Sequence, residues 1–136
     1  MTTFVVATGS VDASAALCDY LDGRLADGDA VHAVAWLPDG VGRTASRDAA
    51  DALNGVRSRL GVRASVEIHR LGGGWDGGEG TADGVVEGLL ALAAEVAADE
   101  LVVGSGGDGL DAGSLTALLS ETTRPVVVIP EEGRGP

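Results

Sequence analysis

The 136-residue sequence contains no lysine: all nine of its basic residues are arginines. That absence removes a Walker-type phosphate lysine, a Schiff base and a lysine general base. Cysteine is nearly missing as well. The single Cys18 excludes an internal disulfide and a multi-cysteine metal site, and suits a reducing compartment. Aromatics make up only 3% of the chain, so a core must be assembled from valine, leucine and alanine. No apolar run approaches the ~18 residues of a membrane span, and no basic segment leads into an apolar one at the amino terminus. The expectation is a cytoplasmic chain with neither a membrane nor a secretory segment.

Charge is lopsided. Twenty-one acidic residues stand against the nine arginines, a formal net charge of −12. Such a surface repels phosphate backbones and anionic lipid, which argues against nucleic acid or a membrane as partner. An acidic, lysine-free, alanine- and glycine-rich composition fits a protein adapted to multimolar salt, such as that of a halophilic archaeon; a GC-rich genome that favours arginine, alanine and glycine codons is the alternative. In multimolar salt the screening length is about 3 Å or less, so self-repulsion is damped. The fold is therefore expected to lose stability as salt is removed.

At 45% hydrophobic residues the chain can build one core, and residues 1–136 are read as one domain with its core over 3–130. Five strand candidates alternate with four helix candidates. The strands are Phe4 to Ala7, Ala30 to Trp36, Ala64 to His69, Leu101 to Val103 and Val126 to Ile129. The helices are Asp12 to Leu25, Arg47 to Leu60, Val85 to Ala97 and Leu115 to Ser120, with apolar residues at helical spacing on one face. This alternation predicts an open, doubly wound parallel α/β sheet with helices on both faces. The first and fourth strands are continuously apolar, as central strands are. The third alternates Val66 and Ile68 with Ser65, Glu67 and His69, which marks an edge. These features suit the order 3-2-1-4-5, whose ligand crevice opens beyond the ends of strands one and four.

Chemistry concentrates beyond the fourth strand. Gly104-Ser105-Gly106-Gly107 releases the chain from an apolar strand, and Gly113-Ser114-Leu115 opens the last helix. Glycines let backbone approach an anion, and the N–H groups of a helix start point toward it. The pattern Gly104-x-x-Gly107 followed by Gly113-Ser114 resembles the nucleotide-binding signature of the universal stress protein family. The opening strand with Thr8-Gly9-Ser10, and the stretch from Asp83 through Val103, are similar to that family too, so the resemblance spans nearly the whole chain. Two departures stand out. Only five residues, Asp108 to Ala112, separate Gly107 from Gly113, a shorter spacer than the family's. Thr8 stands where nucleotide-binding members carry aspartate, and threonine cannot anchor a divalent cation.

The resemblance implies an adenine nucleotide, ATP or AMP, held on its phosphates by Gly104, Gly107, Gly113 and Ser114, with Leu115 also at the nucleotide site. Val34 and Val103 would lie near the base and the strand end, and Thr8 near the ribose. Given the two departures, binding is expected to be weak. As a bare residue Ser114 reads equally well as the N-cap of Leu115 to Ser120. The resemblance also implies a homodimer through the fifth strand, Val126, Val127, Val128 and Ile129, centred near Val127 and Val128. That strand is apolar and lacks a blocking charge, and its outer edge is an open template for pairing.

Other signals are weaker. Gly104-x-Gly106-x-x-Gly109 matches a dinucleotide fingerprint, but it follows the fourth strand and lacks a downstream acidic ribose partner. A phosphoreceiver domain needs clustered acids after strand one, an aspartate directly after strand three and a lysine after strand five; this sequence has Thr8, Leu71-Gly72 and no lysine at those places. Residues 71–84 hold seven glycines and read as a loop, with Trp75 either covering a ligand or, preferably, folding back onto the domain. Residues 131–136 read as a short acidic tail. Cys18 reads as apolar filler. His32 and His69, on different strands, read as separate structural residues, and no metal site is expected. Asp12, Asp19 and Asp22 read as a solvated acidic surface. No catalytic set is legible. Three functions remain open: a stress-type regulatory protein that binds nucleotide weakly, a dimeric interaction module without nucleotide, and a weak nucleotide hydrolase.

Overall fold

The computed structural model describes residues 1–8, 11–37, 42–73, 75, 84–105 and 112–130. Its elements run β1 (Thr3–Ala7), α1 (Val11–Asp22), β2 (Ala30–Trp36), α2 (Arg43–Leu60), β3 (Ser65–Leu71), α3 (Val85–Glu95), β4 (Glu100–Ser105), α4 (Ala112–Glu121) and β5 (Val126–Pro130). The sheet order is β3-β2-β1-β4-β5, and every neighbouring pair is parallel. The expected order and alternation both hold.

Side-chain alternation assigns the helices to faces. Phe4, Val6, Val31, Ala33, Ala35 and Val102 point toward α1 and α2, where they meet Leu17, Leu21, Leu53, Val56 and Leu60. The intervening Val5, Val34, Leu101 and Val103 point toward α3 and α4, onto Leu89, Leu92, Ala93 and Leu118. A period-2 strand buried on both faces is apolar along its buried run, as β1 is over Phe4 to Ala7 and β4 over Leu101 to Val103. The edge strand β3 buries only its last residue, Leu71, completely.

Hydrogen bonds fasten the strand starts. Asp29 accepts the backbone N–H of Thr2 at 2.8 Å and of Ala26 at 2.9 Å, and these two donors hold its carboxyl below the usual range. Asp99 accepts the N–H of Thr3 at 2.9 Å. Asp19 and Asp22 of α1 are solvent-exposed, as expected of an acidic surface, and α2 supplies them with a partner. Arg59 of α2 reaches Asp19, and Asp22 at 2.7 Å, while Arg63 donates to the carbonyl of Asp22 at the end of α1 and to that of Leu25 beyond it. Spacing along α1 could not reveal this, because the partners come from another helix. The ion pairs are exposed and contribute little. Arg63 on the last carbonyl of α1 acts as a C-terminal cap.

Helix α4 starts at Ala112, so Ser114 lies inside the first turn and is not the N-cap expected before Leu115. Helix α3 ends in a two-bond reversal. The Ala98 N–H donates to the Ala93 carbonyl at 2.9 Å and the Ala97 N–H to Ala94 at 3.3 Å. The reversal forces Ala97 to φ 53, the left-handed region usually given to glycine. Ala97→Gly is therefore expected to stabilise the fold by about 1 kcal/mol, read as a raised urea midpoint at unchanged slope. A lowered midpoint would contradict the left-handed cap.

Candidate functional site

The switch point is built by register. Ala7 pairs with Val34 on one side and Val103 on the other, so β1 and β4 end side by side at Thr8 and Gly104. Thr8 continues the ladder, donating its N–H to the Val34 carbonyl at 2.8 Å. Its side chain is turned inward and only 7% exposed. The Thr8 and Ser14 hydroxyls lie 2.7 Å apart, and Ser14 Oγ donates to the Ala52 carbonyl at 3.1 Å. A hydroxyl carries one hydrogen, so Thr8 is the donor to Ser14. This relay from β1 through α1 to α2 was not legible in the sequence. Its only signal was a buried serine on the apolar side of α1.

Val34 and Val103 are buried in the cluster beneath α3 and α4, and half-buried Leu115 packs against the same cluster. Gly113 is exposed and Ser114 half-buried in the first turn of α4. The structure thus brings Thr8, Val34, Val103 and Gly104 to one end of the sheet, with Gly113, Ser114 and Leu115 opening the helix that follows β4. Gly107 and the rest of the glycine loop, 106–111, lie outside the described residues, as do Gly9 and Ser10.

No family model matches the sequence, and no curated protein matches it. Solved structures do match. A universal stress protein from Archaeoglobus fulgidus superposes with a TM-score of 0.66 at 22% identity, over 95% of this chain and 93% of its own. A universal stress protein in complex with cAMP gives 0.65 at 21% identity, over 96% and 98%. A member of the universal stress protein family from Burkholderia pseudomallei gives 0.63 at 19%, over 95% and 96%. The fold is that of the universal stress proteins.

Within this universal stress fold, other groups find places that the sequence only partly foretold. A groove of about 170 Å³ between α1 and α2 is lined by Ser14, Ala15, Cys18, Asp51, Ala52, Gly55 and Arg59. It is smaller than the ~300 Å³ at which ligand pockets begin. Cys18 is buried there, and burial raises its thiol above the ordinary range, so it stays protonated and unreactive. Trp75 folds back onto the domain: it is buried, donates Nε1–H to the Leu71 carbonyl at 2.8 Å, and stacks under Arg70. No helix among the described residues is long and apolar enough to cross a membrane.

His32 and His69 correct the expectation that they serve apart. The parallel register places His32 opposite Glu67 and Val34 opposite His69, so both imidazoles share one face. His32 Nδ1 and His69 Nε2 meet at 3.0 Å. Burial, then the neighbouring His32, holds His69 below the ordinary imidazole range, while Glu67 and Glu95 pull the other way. Alternation along β3 put Glu67 and His69 on one face already. What the sequence lacked was the register that sets His32 beside them.

Proposed function

We propose that this chain is a universal-stress-type regulatory protein that binds an adenine nucleotide weakly where β1 and β4 end. The observation that carries the reading is the juxtaposition of Thr8 with Gly104 at the switch point, followed by a helix whose first turn holds Gly113 and Ser114. The cAMP complex of a structural neighbour supports an adenine ligand. Gly104, Gly107, Gly113 and Ser114 are assigned to the phosphates, with Leu115 also at the nucleotide site, Val34 and Val103 to the base side, and Thr8 to the ribose. No metal is assigned to this site, because Thr8 offers no carboxylate. The same reading includes a homodimer that pairs β5 across a twofold axis.

A second reading has its own observation. The Thr8 hydroxyl is buried and already donates to Ser14, so engaging a ribose as donor would break that relay. This favours a dimeric interaction module that has given up the nucleotide. Calorimetry with ATP, AMP and cAMP in molar KCl separates the two. Weak saturable binding of at least one nucleotide, lost in Gly113→Val, is the expected result. Heat no greater than dilution for all three would leave the interaction module, and binding unchanged in Gly113→Val would place the ligand elsewhere.

A further inference from the structure

The β2–β3 edge carries a side-chain cluster that the nucleotide reading does not use. His32, Glu67 and His69 project from one sheet face, since His32 pairs with Glu67 and His69 follows two residues along the same strand. One candidate donor atom from each lies within 4.8 Å of the other two. His32 is buried at 8% exposure, His69 is half-buried and Glu67 is exposed, so the cluster has a fixed floor and an open mouth. In the sheet order β3 lies three spacings from β4, about 14 Å, and β2 two, about 10 Å, which sets this cluster apart from β4.

Two neutral imidazole nitrogens 3.0 Å apart share one proton: one ring donates and the other accepts. A cation can take the place of that proton. We propose that His32 Nδ1, His69 Nε2 and a carboxylate oxygen of Glu67 form a site for a zinc-class divalent cation, with a remaining position open to solvent. The ring that donates in the metal-free pair moves its proton to its other nitrogen, so both facing nitrogens present lone pairs. Ligand atoms at about 2.0–2.1 Å from a tetrahedral zinc stand about 3.4 Å apart. The two nitrogens are already near that spacing, and only the exposed Glu67 carboxylate must swing inward. Paired imidazoles select zinc, cobalt or nickel over magnesium and calcium. The bound ion ties the edge strand β3 to β2, and so stabilises the sheet where it is least buried.

The test uses the full chain, stripped with a chelator and titrated with zinc at neutral pH. A saturable 1:1 stoichiometry with micromolar or tighter affinity is expected, along with a melting temperature that rises with zinc but not with calcium. Cobalt substitution should give the visible absorption of a tetrahedral nitrogen-oxygen site. His69→Gln should weaken zinc binding by at least about tenfold. Glu67→Gln lies on the surface and leaves the core intact; it should weaken binding without changing the metal-free melting temperature. Absence of saturable zinc binding would overturn the proposal. So would affinity unchanged in both variants, which would trace the binding to the acidic surface at large.

Discussion

Gly72→Ala is expected to destabilise the protein by roughly 3 kcal/mol, while the same substitution at Gly55 should stabilise it by about 0.5–1 kcal/mol. Gly72 sits just past β3 at φ +86, where a side chain is strained whatever the space around it. A Cβ there would also meet the Leu37 carbonyl oxygen at 2.1 Å and Trp36 Nε1 at 2.9 Å. That carbonyl belongs to the point where the ladder is closed by the Leu37 N–H on the Leu71 oxygen at 3.0 Å. The same Leu71 oxygen receives the Trp75 indole, so moving the backbone away also loosens the folded-back tryptophan. Gly55 lies inside α2 with open space around its would-be Cβ, and it carries only the entropic cost of glycine in a helix. Urea denaturation of both variants should move the midpoint in opposite directions at equal slope. A midpoint for Gly72→Ala at or above that of the wild type would show that the tight approach at Gly72 is absent in solution.

Light scattering of the protein in molar salt is expected to give twice the 13.5 kDa chain mass, and Val128→Pro should return it to one chain. Strand β5 lies at the sheet edge, paired among the described residues with β4 alone, and its residues Val126 to Ile129 remain partly exposed. The phase of the ladder decides which position to change. Leu101 N–H donates to the Pro125 carbonyl at 2.9 Å. In a parallel pair this turns the Val127 N–H back toward Leu101, so Val127 belongs to the subunit's own ladder. Val126 and Val128 present their N–H and C=O groups outward, where a twofold-related β5 would pair antiparallel. Proline at 128 removes an outer donor and leaves the bond between β4 and Val127 in place. A monomeric wild type, or a dimer that persists in a folded Val128→Pro variant, would refute pairing through this strand.

Much of the architecture was decided locally, residue by residue. Continuous apolar runs at β1 and β4, the alternation in Val66-Glu67-Ile68-His69, and helical spacing in Val85 to Ala97 each follow from which faces an element must bury. Together they determined the strand order, because a chain of alternating strands and helices has few right-handed ways to cover a sheet on both faces. The glycine-rich release after β4 and the Gly113-Ser114 helix start were legible for the same reason, being short-range backbone features. What only the tertiary structure decided was contact between elements distant in sequence. The register of β2 on β3 brings His32 to Glu67 and His69, α1 presents Ser14 to Thr8 and Asp22 to Arg59, and the ladder phase turns Val127 inward and Val128 outward. Periodicity records the face on which a side chain stands, but it carries no information about the longitudinal offset between two strands or the rotation of one helix against another. Those are set by how the whole core packs at once.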